Sequence, residues 1–123
     1  MITVTEIYHL IQKEGFFERV FQADHDWDTL LDKRDEAEFD TRWTSSCEAL
    51  RSIDSSESQL IADIRERAFK ETFRLTQHPE LAVYVSDDLG LIASAADHQF
   101  DSAFIQQLWN IYLKGSFPTT IND

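Results

Sequence analysis

Residues 54–77 constrain the fold more than any other stretch, because they write one long helix with both ends marked. Ser55-Ser56-Glu57-Ser58-Gln59 is a helix start. Ser56 with Gln59 makes a capping box, and Asp54 with Glu57 makes a second in a neighbouring register. Either one supplies an acceptor for N–H groups that the first turn leaves unpaired. Pro79 writes the stop: it cannot extend a helix, and it pushes His78 out of the helical region. A helix of roughly twenty residues follows. At about 100° per residue, Leu60, Ile61, Ile64, Ala68 and Leu75 share one stripe, and Ala62, Phe69 and Phe73 share a second. Arg65 and Thr72 lie between the stripes, and Asp63, Glu66, Arg67, Lys70 and Arg74 form the back. A surface helix needs one apolar stripe. Two predict neighbours on both sides, and so a central place in a bundle.

The rest of the chain agrees with helices. A β-sandwich or barrel needs many tight turns, usually made with Gly, Asn or Pro. With three Gly and two Pro in 123 residues, this chain is short of them. Nine Phe, three Trp and three Tyr supply volume for a core. The length suits one domain, residues 1–123. The expectation is an all-α or mainly α protein, a compact bundle of five to six helices.

Thr3 and Glu6 make a capping box ahead of Val4, Ile7, Tyr8 and Ile11. Gly15 interrupts, either as a left-handed helix end or within a longer helix, before Phe17, Val20 and Phe21 resume the period. This predicts one kinked helix or two short ones over about residues 4–22. Trp27, Leu30, Leu31 and Ala37 share one face, whereas Phe39, Trp43, Cys47 and Leu50 point the other way. Either the segment breaks near residues 38–41 with Asp40 as a cap, or it lies between two layers. Residues 81–93 are ambiguous. Leu81-Ala82-Val83-Tyr84-Val85 and Leu89-Gly90-Leu91-Ile92-Ala93 could pair as a short hairpin. Yet Leu81, Val85, Leu89 and Ile92 also keep a helical period, and Ser86-Asp87-Asp88 has the chemistry of a helix start. The preferred reading is a short helix followed by a second from Asp87 to about Ala96. Asp101 is the expected cap of the last helix, with Gly115 at its end and Pro118 beyond.

Charge is the strongest functional signal. The formal net charge is −12, which repels nucleic acid and anionic membranes and suits a basic partner. Residues 24–40 hold eight acids against Lys33 and Arg34, half of that net charge. They are either a docking face or a solvated helix surface. The candidate partner-binding residues are Asp24, Asp26, Trp27, Asp28, Asp32 and Asp35, joined by Asp87 and Asp88. An exposed Trp27 or Trp43 would be the anchor. Arg65 lies in an apolar arc and needs an acidic partner, for which Asp87 and Asp88 are the candidates.

Other chemistries find little support. Asp24-x-Asp26-x-Asp28 opens like a calcium loop, but Thr29 stands where Gly is needed and Asp35 where a bidentate Glu is needed. His9, His25, His78 and His98 fall in no metal-ligand spacing, although Asp24, His25 and Asp26 with a remote residue could form a site. Cys47 excludes an intramolecular disulfide, being the one cysteine, and reads as a small core residue. No phosphate-loop, dinucleotide-loop or nucleophile-elbow pattern occurs, so no cofactor is expected. No apolar run approaches membrane-spanning length and the start lacks a signal peptide's character, which makes the cytoplasm the expected location.

Tyr84-x-Ser86-Asp87-Asp88-x-x-Leu91-Ile92-Ala93, followed by Tyr112-x-x-Gly115-x-Phe117-Pro118, resembles small uncharacterised bacterial cytoplasmic proteins over the last third of the chain. In size, acidity and aromatic-rich helical character the chain is also similar to immunity proteins that neutralise a toxin. The first group brings no activity with it; the second likeness implies a non-enzymatic interaction protein of immunity or adaptor type, and the acidic faces suit it to a basic protein partner. The alternative is a small metal-binding protein or metal-dependent enzyme built on Asp24-His25-Asp26. A homodimer, with the second stripe of the central helix as its seam, is a third possibility.

Overall fold

The computed structural model describes residues 2–22, 26–53 and 58–119, and among these it has seven helices and no strand. The first is α1 (Val4–Ile11), started by the expected capping box: the Thr3 hydroxyl accepts from the Glu6 N–H at 3.1 Å. Gly15 adopts φ +91° and hands the chain to α2 (Phe16–Val20), so the two-helix alternative holds. α3 (Trp27–Arg34) is capped by Asp26, and α4 (Ala37–Ile53) follows almost at once. The break falls at Asp35–Glu36, a few residues earlier than expected, and Asp40 sits in the first turn of α4 rather than capping it. Splitting the segment there lets Leu31 and Phe39 both reach the core although they belong to opposite periodic faces.

α5 (Gln59–Thr76) is the helix written by residues 54–77. Its cap is Ser58, whose hydroxyl accepts from the Ile61 N–H at 3.2 Å; the expected caps at residues 54–57 lie outside the described residues. Gln77 ends it with φ +57°, and His78 is extended ahead of Pro79, as the proline requires. Pro79 is not only a stop. It is the first residue of α6 (Pro79–Asp97), a position where its missing N–H costs nothing. The hairpin at 81–93 and the split at Asp87 are both overturned by this one continuous helix. Finally, α7 (Ala103–Leu113) is capped by Ser102, not Asp101, and closes through Gly115 at φ +83°. There the Gly115 and Ser116 N–H groups bond the Tyr112 and Ile111 carbonyls, the two bonds of a Schellman turn.

The centre of the bundle is α6, not α5. Leu81, Ala82, Val85, Asp88, Leu89 and Ala93 are fully buried, and α1, α4, α5 and α7 all pack against this helix. Its two short apolar runs, residues 81–85 and 89–93, are buried on most sides, and short buried runs read equally as strand or helix. α5 lies along α6 through Ile61, Ile64, Ala68 and Thr72. Its second stripe is only partly covered among the described residues: Phe69 and Phe73 are 37% and 39% exposed. One apolar cluster runs through all seven helices.

Candidate functional site

The side chains that organise the surface begin with a buried one. Asp88 is fully buried, three residues after Val85 and four before Ile92, inside the apolar arc of α6. Arg34 of α3 reaches it with both terminal nitrogens, at 2.8 and 2.7 Å. The Trp43 indole N–H donates to Oδ1 at 3.0 Å, and the Tyr112 hydroxyl donates to Oδ2 at 2.6 Å. One carboxylate thereby ties together α3, α4, α6 and α7. Arg34 also lies 4.4 Å from the Phe39 ring centroid and 5.1 Å from that of Phe117. Burial opposes the Arg34 charge, but the adjacent Asp88 carboxylate outweighs it and holds the guanidinium above its ordinary pKa. Burial first, and Asp88 second, push the Tyr112 hydroxyl well above its ordinary value. Asp88 is therefore an internal ligand, and its expected place on the partner surface is corrected by its burial. It does not start a helix either.

Asp87, its neighbour, is on the surface side and pairs with Arg65 at 2.8 Å, one of the two partners expected for that arginine. Burial raises the Asp87 pKa, Arg65 opposes the rise, and Asp88 adds to it. Ser86 donates to the Arg65 carbonyl at 3.0 Å, a bond between α5 and α6.

Because Arg34 is turned inward, α3 and the start of α4 face water as an acidic strip. Asp26, Asp28, Asp32, Asp35, Glu36, Glu38 and Asp40 are all exposed, and Lys33 is the basic residue exposed among them. Asp26 caps α3, its carboxylate accepting from the Thr29 hydroxyl at 2.9 Å and from the Thr29 N–H, and these bonds lower its pKa. Asp28 meets His78 Nε2 at 2.8 Å, and Asp35 accepts from the Tyr84 hydroxyl at 2.6 Å. That bond, with some burial, raises Tyr84 to a pKa of about 12. Asp24 and His25 lie outside the described residues. Among the described residues no three His, Cys, Asp or Glu side chains gather to hold a metal. Asp26 is committed to its cap, and Leu30 and Leu31 are helical rather than part of a calcium loop.

The expected aromatic anchors are not exposed. Trp27 is half-buried against the edge of Phe21, and Trp43 is half-buried with its N–H on Asp88. The open aromatics are Phe69 and Phe73, stacked 6.4 Å apart on α5 beside a shallow groove containing Ala62 and Lys70. A more enclosed cavity of about 140 Å³ lies between α3, α4 and α6, with Asp35, Asp40 and Asp87 among its walls. The Arg34–Asp88 pair was missed from sequence, although a signal existed: Asp88 and Arg34 each fall on the apolar side of their helix.

What fold and surface define together is an all-α bundle with a strongly acidic outer strip. Residues 6–119 match the family described as immunity protein PIM1. The match spans nearly the whole chain, and the chain belongs to that family. No curated protein matches it at significance. Among the described residues no helix is long and apolar enough to cross a membrane.

Proposed function

We propose that this immunity-family protein acts without catalysis, in the cytoplasm, by binding a toxin through the acidic strip of α3 and α4. The toxin's matching surface is basic. The observation that carries this reading is the inward turn of Arg34. It removes one of the two cations of the segment from the surface, leaving seven exposed carboxylates beside Lys33. Carboxylates so arranged accelerate encounter with a basic surface and fix its register. Exposed charges act over a Debye length of about 8 Å at physiological salt, so the complex weakens as salt rises.

The test uses a variant that spares the fold. Asp32, Glu36 and Glu38 are exposed, and no side-chain hydrogen bond or ion pair of theirs is found among the described residues. Tagged wild type and a D32N/E36Q/E38Q variant are each used to capture proteins from lysate of the source cells. The reading requires a basic protein held by wild type, lost at high salt and weakened by the variant. Produced alone in a test cell, that protein must be toxic, and wild type must rescue growth better than the variant. Capture indifferent to both salt and variant would remove the acidic strip from the interface.

A second reading concerns α5. Its stacked Phe69 and Phe73 are open, and Arg65, Arg67, Lys70 and Arg74 outnumber Asp63, Glu66 and Glu71 on this helix. A chain with net charge −12 meets a second copy with less repulsion there than across the acidic strip of α3 and α4. Self-association through this stripe predicts a sedimentation coefficient that rises with concentration, and a constant one excludes it.

A further inference from the structure

The cavity between α3, α4 and α6 combines two kinds of wall. The side chains of Asp35, Asp40 and Asp87 border it on one hand, and those of Phe39, Trp43 and Tyr84 on the other. Arg34 and Asp88 also border it, but their charges cancel within their own ion pair. Three carboxylates are left against no further cation in the wall. The Arg65 that meets Asp87 is not part of the lining, and both members of that pair are 41% exposed. The cavity volume of about 140 Å³ is ample for a small planar group. A guanidinium with the methylene that carries it is such a group.

Carboxylates at the rim and aromatic faces within reach are the chemistry that recognises an organic cation. A planar guanidinium satisfies both at once, forking onto a carboxylate while stacking on a ring, whereas an ammonium is a hydrated point charge. We propose that this cavity is a socket for an arginine side chain of the partner protein. The socket deepens the docking reading above and rests on it for the biological occupant, but the cavity can be probed alone. Burial already raises the Asp87 pKa, and a bound cation would reverse that rise.

The test is a titration of the isotopically labelled full chain with methylguanidinium chloride, against sodium chloride and methylammonium chloride at equal ionic strength. The Trp43 indole N–H is the reporter, because Trp43 lines the cavity while Trp27 and Trp109 do not. The expected result is a saturable shift of the Trp43 resonance with methylguanidinium, weaker with methylammonium, with the other two indoles unmoved. Asp40→Asn removes a rim carboxylate that is exposed and has no side-chain bond among the described residues. It should weaken methylguanidinium binding by roughly threefold, the scale of one exposed charge pair. Shifts no larger than those with sodium, equal binding of methylammonium, or unchanged affinity in the variant would each overturn the socket. A failed titration beside successful, salt-sensitive capture of a basic toxin defeats the socket alone. A successful titration with no toxin captured defeats the docking reading and leaves the cation site standing.

Discussion

Replacing Arg34 with Met tests the centre of this structure. Arg34 and Asp88 are 5% and 0% exposed, and they share two hydrogen bonds of 2.8 and 2.7 Å. Methionine fills much of the same volume but leaves the Asp88 carboxylate buried without its cation. Trp43 and Tyr112 still donate to it, so the loss is that of one partner rather than of all three. Breaking a buried pair from one side costs about 3–5 kcal/mol. Domains of this kind are stable by about 5–15 kcal/mol, so the loss is a large share of the total. The pair itself, however, need not be strongly favourable against a neutral replacement, since each charge was expensive to bury. The R34M/D88N double variant removes both charges; the amide oxygen still accepts from the Trp43 N–H, and its NH2 group can donate to the Tyr112 hydroxyl, which accepts instead of donating. The double variant should be more stable than the sum of the single losses by at least about 1 kcal/mol. Urea unfolding followed by helical circular dichroism measures all four proteins. An R34M loss under about 1 kcal/mol, or strict additivity in the cycle, would refute the claim that these charges depend on each other.

Three further predictions concern other parts of the chain. Gly15→Ala should cost about 1 kcal/mol in urea unfolding, because a Cβ at φ +91° is strained although nothing lies within 4 Å of it. Gly15→Asn should cost less, since asparagine tolerates that region better. In alkali, absorbance at 295 nm should show Tyr84 titrating near pH 12 and Tyr112 titrating only as the chain unfolds. The sign follows from linkage: both hydroxyls have raised folded values, so their stabilising contribution is full below about pH 10 and is lost as pH rises through the folded values. F69S/F73S should cost the monomer about 2–4 kcal/mol in urea unfolding, since each ring still has more than half of its surface covered and full burial of a Phe is worth about 1.5–3 kcal/mol. The same change should abolish any concentration dependence of sedimentation, and its persistence would place self-association elsewhere.

Helical class, several boundaries and one ion pair were legible in the residues. Thr3 and Glu6, Gly15, Pro79 and Gly115 act through bonds and dihedrals within a few positions, which local chemistry specifies. The Arg65–Asp87 pair was legible because a charge in an apolar arc must find its opposite. Cap identity was less so. Ser58 and Ser102 were passed over for nearby polar residues with the same capability, and the choice rests on where tertiary packing sets the first turn.

The arrangement of the helices was not legible. The amphipathic stripes of α5 announced a central helix, while the two short apolar runs of α6, parted by Ser86-Asp87-Asp88, left its very class in doubt. Packing decided the reverse. α6 took the centre, and the Phe69–Phe73 stripe was left open to solvent. Periodicity reports which faces are apolar, not whether this chain, a partner or water meets them. Asp88 shows the same limit in charge. As one member of Ser86-Asp87-Asp88 it reads like a surface acid beside Asp87, yet one step around the helix, about 100°, separates a half-exposed carboxylate from a fully buried one. Composition and local pattern are enough for a helical, acidic chain with its acids crowded into residues 24–40. Which of those charges face outward depends on contacts between distant residues. Arg34 is drawn to Asp88 from 54 residues away, and that long-range pairing is what leaves the strip on α3 and α4 so strongly negative.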